Sequence, residues 1–208
     1  IMSSDWSSDV CSSDLMLAIS QQCYRRAIWN DQPMRVEIWL EKEALAGVLY
    51  DVTSEWDVPL MVTRGYPSLS YLHTLAEEIA AAENPTAIYY FGDHDPSGQD
   101  ISRFIVDQLT EMLRNMGWQA DTCFTFERVA VTEEQIVEWD LPTRPTKKSD
   151  SRSKGFNGES VEVDAIEPDV LRDICRRCIT QHIDQEAYTR LMDVEEQERA
   201  TLAGIVEK

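Results

Sequence analysis

An α/β fold with a central parallel sheet, followed by a mostly helical C-terminal extension, is predicted by three observations. Short β-branched and aromatic runs alternate with stretches of helical spacing. The helical stretches between the runs are long enough to be crossover connections, which parallel strands need and hairpins do not. Acidic residues stand where two of the runs stop, the edge at which open α/β sheets bind their ligands.

The first strand is Arg35-Val36-Glu37-Ile38-Trp39-Leu40, rich in strand formers and ending at Glu41. Lys42 to about Trp56 turns to helical spacing, and Glu43 falls in that helix's first turn, where an acid complements the helix dipole. Pro59-Leu60-Met61-Val62-Thr63 is a second short strand. Arg64-Gly65-Tyr66-Pro67-Ser68 is a turn that places Pro67 at a helix start. Leu69 to Ala82 puts Leu72, Leu75 and Ile79 on one helical face. Thr86-Ala87-Ile88-Tyr89-Tyr90 is a buried strand, closed by Phe91-Gly92-Asp93-His94-Asp95-Pro96-Ser97-Gly98, and a helix runs from Gln99 to about Met116. Cys123 to Val131 is a fourth strand, and Thr132 with Gln135 forms a capping box for a short helix ending near Trp139.

Alternation along a strand predicts that Asp93 and Asp95 share one side. Two carboxylates pointing together repel unless a cation or a proton lies between them, and hard oxygen ligands suit Mg²⁺. Glu41 ends the first strand on the same edge, so Glu41, Asp93 and Asp95 are the expected metal ligands. The plain alternative for the aspartates is one helix cap and one turn residue.

The chain has 208 residues, 43% of them hydrophobic, enough for one full core, and no run approaches a membrane span. The segment Ser7-Ser8-Asp9-Val10-Cys11-Ser12-Ser13-Asp14-Leu15 has no periodicity and resembles the translation of a sequencing adapter. Residues 1–15 are therefore read as an artefact, and the natural chain is expected to continue upstream of Met16. Residues 16–34 read as a connecting helix with Ile19, Cys23 and Ile28 on one side, broken by Asp31-Gln32-Pro33. The formal charge is −19; Asp5, Asp9 and Asp14 account for three of these charges, leaving −16. Such a chain is not a general nucleic-acid binder by net charge, so any DNA contact has to be local.

Four cysteines remain outside the suspect segment, with no disulfide framework and no signal peptide, and the expected compartment is the cytoplasm. Cys175-Arg-Arg-Cys178 is a lone pair in a helical pattern and reads as packing rather than as a zinc site. Residues 141–158 form a basic loop whose cations Arg144, Lys147, Lys148, Arg152 and Lys154 are candidate phosphate contacts. Ser160-Val161-Glu162-Val163-Asp164 alternates like a short strand with two acids on one face, and two amphipathic helices follow from Pro168.

Three motifs, Leu40-Glu41-Lys42-Glu43-Ala44, Thr63-Arg64-Gly65-Tyr66-Pro67-Ser68 and Gly92-Asp93-His94-Asp95-Pro96-Ser97-Gly98-Gln99-Asp100-Ile101, resemble in order and spacing the Toprim domain. The likeness is closest to that of the topoisomerase VI A subunit and its relative that makes meiotic double-strand breaks. It covers about Arg35 to Val131, and Ser160 to Ile166 is loosely similar to a later Glu-containing segment of that group. The resemblance implies a Rossmann-like Toprim domain over 35–131, with 132–208 as the extension. It further implies Mg²⁺ (or Mn²⁺) as cofactor, DNA as substrate and partner, and phosphodiester cleavage or transfer. By position Glu41 would be a metal ligand or general acid/base, Asp93 and Asp95 the metal carboxylates, and Lys42, Arg64 and His94 phosphate neighbours. Enzymes of this type attack with a tyrosine from a winged-helix domain, and no such domain is visible in this sequence. Tyr24 lies in the connecting segment and is not read as that nucleophile. A missing N-terminal winged helix or a homodimer is therefore an expected partner. A water-using Toprim nuclease and a non-catalytic metal- or nucleotide-binding module are the alternatives.

Overall fold

The computed structural model describes residue 19 and residues 23–145 and 159–206. The chain divides into two compact units, Pro33–Ile183 and a smaller one drawn from Ile1–Gln32 and Asp184–Lys208. The region after Val131, a single extension in the sequence reading, is thus shared: up to Ile183 it belongs with the sheet.

In the larger unit four strands, β1 (Arg35–Leu40), β2 (Leu60–Val62), β3 (Thr86–Phe91) and β4 (Phe124–Ala130), form one sheet in the order β2-β1-β3-β4. All three pairings are parallel. The helices between them are α1 (Ala46–Glu55, after a 3-10 turn at Glu43–Leu45), α2 (Leu69–Ala81), α3 (Pro96–Asn115) and the short α4 (Ala120–Cys123). After β4 come α5 (Glu133–Glu138), a second 3-10 turn at Val163–Ala165, and α6 (Pro168–Thr180). The α/β class with a parallel sheet agrees with the sequence.

Both faces of the sheet are covered, which is why β1 and β3 read as nearly unbroken apolar runs. On one face Trp39, Ile88 and Tyr90 pack against Leu72, Leu75 and Ile79 of α2 and Ile101, Ile105, Leu109 and Leu113 of α3. Each fully buried side chain of this size stabilises the fold by roughly 1.5–3 kcal/mol. On the other face α1 packs with α6, and Tyr89 of β3 reaches His182, its hydroxyl 2.7 Å from Nε2. Leu171, Ile174, Cys175, Cys178 and Ile179 are the buried stripe of α6. Cys175 and Cys178 are both buried in this stripe, so the pair is core packing, and burial pushes their thiols up to about 12.

The strand order sets the site. From β1 the chain leaves to β2 on one side; from β3 it leaves to β4 on the other. Adjacent strands whose connections depart in opposite directions open a crevice at their carboxyl ends. That crevice lies between Leu40 and Phe91, which are in register, and Glu41 N donates to Phe91 O at 2.9 Å. Between β3 and β4 the register slips, with Tyr90 opposite Arg128 but Phe91 opposite Ala130. The Val129 carbonyl displaced by this slip accepts from Gln135 Nε2 at 2.8 Å. Gln135 also completes the capping box with Thr132.

The smaller unit contains the helix α7 (Gln185–Val206) and the segment before β1. The helix expected over 16–34 does not run through its described residues. Tyr24–Ala27 has no regular structure, and a turn follows at Ile28–Asp31. The reason is side-chain competition for this backbone. Arg199 donates twice to Tyr24 O (2.8 and 2.7 Å), and Arg26 N donates to Glu195 Oε2 at 2.7 Å. Among the described residues no helix is long and apolar enough to cross a membrane.

Candidate metal centre at the carboxyl edge of the sheet

Glu41 follows the last residue of β1 and its carboxylate turns toward β3. Its Oε2 accepts from Tyr90 Oη at 3.1 Å and from Asp93 N at 3.2 Å. Space for it exists only because residue 92 is glycine: a Cβ there would stand 2.7 Å from Glu41 Oε2 and 2.3 Å from Tyr90 Cε1. Asp93 is partly buried and its Oδ1 accepts from Val163 N at 2.7 Å. Burial raises the pKa of Glu41, and the charge of Asp93 raises it further. Burial likewise raises that of Asp93, against the lowering effect of the Val163 N–H and of Lys42.

Asp95 is placed differently. The strand stops at Phe91, so the alternation that would align Asp93 with Asp95 does not reach them. Asp95 is the N-cap of α3, its Oδ1 accepting from Gly98 N at 2.7 Å. The structure therefore brings Glu41 and Asp93 together and commits one oxygen of Asp95 to the helix. Among the described residues no group of three or more His, Cys, Asp or Glu side chains is arranged to hold a metal ion. The Glu41–Asp93 pair still fits a hard divalent cation in donor type and in charge. Two half-buried like charges want a counter-ion, and Mg²⁺ commonly takes only one or two carboxylates and keeps waters.

The surrounding cations are engaged. Lys42 Nζ pairs with Glu162 (2.8 Å) and with Asp164. Arg64 pairs with Glu43 in the open. His94 is 5% exposed, so it is not a surface cation; its backbone exchanges two hydrogen bonds with Val161 (2.8 and 3.0 Å). Burial lowers the pKa of its ring. Arg144 pairs with Glu162, and its backbone pairs with Ser160. Lys147, Lys148, Arg152 and Lys154 lie outside the described residues. Glu43 sits in the first turn of the 3-10 helix, 61% exposed and paired with Arg64.

Ser160–Asp164 does not form the expected strand. It makes two isolated bridges, with Arg144 and His94, and then enters a 3-10 turn. Its two acids nevertheless share a target, Lys42. Two further residues at the site carry no signal in the site motifs. Tyr90 lends its hydroxyl to Glu41. Arg128 lies over the Tyr90 ring, 5.4 Å from its centroid, and donates from Nη1 to Gly92 O (2.8 Å) and Asp93 O (3.0 Å). The one available hint is a cation inside the otherwise strand-like run Phe124–Val131.

No protein-family model matches the chain, and no curated protein is significantly similar to it.

Proposed function

We propose that Glu41 and Asp93 form a Toprim-type divalent-cation site that serves phosphodiester cleavage or transfer on DNA. One observation carries this reading: two half-buried acids, just past the ends of neighbouring parallel strands, are linked by the Asp93 N–H donating to the Glu41 carboxylate at the point where the strand connections diverge. Mg²⁺ or Mn²⁺ bound there would neutralise charge developing on a transferring phosphoryl group. The chain's own residues would bind and orient. Glu41 and Asp93 supply the carboxylate oxygens, and Tyr90 and the Asp93 N–H fix the Glu41 carboxylate by hydrogen bonds. Asp95 supports the arrangement by holding the start of α3 in place. In this reading DNA is the partner and the cytoplasm the compartment. The attacking group is a tyrosine supplied by a further domain or subunit, or water.

The test is calorimetric titration with Mg²⁺ and Mn²⁺, followed by plasmid nicking. Glu41→Gln and Asp93→Asn should each weaken binding about tenfold or more, since each removes a charged ligand, a loss on the order of 1.4 kcal/mol or greater. Glu43→Gln should bind as the parent does. Equal affinity in all four proteins would remove the site assignment. Metal binding with no nicking of DNA under any condition would leave a binding module instead of an enzyme.

A further inference from the structure

We propose that Arg128 is the positioning residue of this acidic site: one nitrogen of its guanidinium fixes the Gly92–Asp93 turn and so keeps the Asp93 N–H on the Glu41 carboxylate. The proposal rests on the reading of Glu41 and Asp93 as a paired site.

Arg128 stands on β4 opposite Tyr90, immediately before the register slip. A slip of this kind re-aims the side chain next to it. One nitrogen, Nη1, serves two successive carbonyls, Gly92 O and Asp93 O, in the turn where β3 has ended and α3 has not begun. Gly92 O also accepts from Val131 N at 2.8 Å, so the turn is tied to β4 by side chain and backbone together. The face of the guanidinium lies over Tyr90, whose hydroxyl donates to Glu41. One cation thus reaches Asp93 through its peptide and Glu41 through an aromatic ring. The turn and the guanidinium crowd Gly98: a Cβ there would meet Asp93 O at 2.2 Å and Arg128 Nη2 at 3.0 Å.

A purely structural role explains this residue poorly. Among the described residues, Nε and Nη2 are buried without a hydrogen-bond partner. Burying a guanidinium is costly, and an apolar side chain of similar volume usually packs a core at least as well. What an apolar side chain cannot supply is the bond to both carbonyls and a positive charge close to Glu41, Asp93 and Asp95, all of which act on Arg128 electrostatically.

Amide hydrogen exchange by NMR on the metal-free full chain tests the proposal, comparing wild type, Arg128→Lys and Arg128→Met. The N–H groups of Asp93 and Val163, which donate to the Glu41 and Asp93 carboxylates, report the turn. In Arg128→Met they should exchange about tenfold faster or more, as expected for the loss of hydrogen bonds to a charged group. In Arg128→Lys the increase should be smaller, because an ammonium keeps the charge and can donate but lacks the planar group that lies over Tyr90. Ile38 and Ile88, in mid-sheet, should keep wild-type rates. Unchanged exchange at Asp93 and Val163, or equal acceleration across the whole sheet, would overturn the proposal. Should Arg128→Met fail to fold, Arg128→Lys decides by the same comparison. Mn²⁺ titration of the wild type judges the metal reading separately: absence of binding would end that reading, while the exchange rates still decide whether Arg128 holds the turn.

Discussion

The two tripeptides at the carboxyl edge, Glu41-Lys42-Glu43 after β1 and Asp93-His94-Asp95 after β3, share a layout of acid, base, acid. In both, the first acid enters the site and the middle residue is tied to the segment 159–165. Lys42 is tied by its ammonium, to Glu162 and Asp164, and His94 by its backbone, to Val161. They part at the third position. Glu43 ends in an exposed ion pair with Arg64, whereas Asp95 caps a twenty-residue helix. At the third position the β1 side thus relies on an exposed ion pair and the β3 side on a bond to the backbone of the helix it caps. The same residue pattern yields an exposed ion pair after one strand and a helix cap after its neighbour.

The contrast is broken most severely at Gly98. Its missing Cβ makes room for the Asp93 carbonyl, a backbone atom that cannot swing away. Gly98→Ala should lower the stability by about 1–3 kcal/mol, as other overpacked sites do, read as a urea midpoint. Gly47→Ala in α1, with nothing within 4 Å of the new methyl, should instead be neutral or raise it by up to about 1 kcal/mol. Equal midpoints for the two variants would mean that α3 does not start as tightly as described.

Next in size is the third-position pair. Asp95→Ala removes an N-cap and should cost about 1 kcal/mol, whereas Glu43→Ala should stay within about 0.5 kcal/mol of the parent. Thermal unfolding of the two variants side by side would expose a wrong assignment if Glu43→Ala proved the more damaging.

The acid pair gives a pH dependence of definite sign. Burial raises Glu41 and Asp93 in the folded chain, so the native state holds these protons to higher pH than the unfolded one. Their contribution to stability is complete below the ordinary carboxylate range and is lost as pH rises through the raised folded values. In metal-free protein, Glu41→Gln should lose less stability than wild type over that window. A wild-type midpoint that gained on Glu41→Gln with rising pH would contradict the burial of this carboxylate.

The smallest effect separates the two surface cations. Lys42 bridges two carboxylates and Arg64 one, in the open. Lys42→Met should cost about 0.5–1 kcal/mol at low salt and less at high salt, and Arg64→Met close to nothing. A salt titration of both unfolding midpoints would show whether the order is reversed.

Much of the sheet is legible in the sequence, because strands buried on both faces are written as continuous apolar runs and their ends are marked by acids. The α3 helix announces itself through Pro96 at its first turn and the stripe Ile101, Ile105, Leu109 and Leu113. The roles of the two aspartates are less legible. Alternation holds only along a strand, and the strand stops at Phe91, short of Asp93. Tyr24–Ala27 misleads for another reason: local spacing favours a helix, but side chains from α7, distant in sequence, take its backbone groups. Ser160–Asp164 has the pattern of a strand, yet Val163 N goes to the Asp93 carboxylate instead of a ladder partner. Arg128 is the hardest to find, since a cation on a sheet-edge strand ordinarily faces water, and only the slip at Val129 turns this one inward.

The bond from Val163 N to Asp93 spans 70 residues, and that from Lys42 to Glu162 spans 120. On a ribosome the strands and their acids emerge well before the segment that restrains them. A nascent chain that has reached Pro145 already contains all four strands, while Val163 and Glu162, which bond Asp93 and Lys42 in the folded chain, have yet to be added. The order of synthesis thus leaves an interval in which the sheet can form but the acidic edge is unfinished. Pairings between such distant residues form slowly, and the acidic edge cannot be complete before the segment 159–165 has been made.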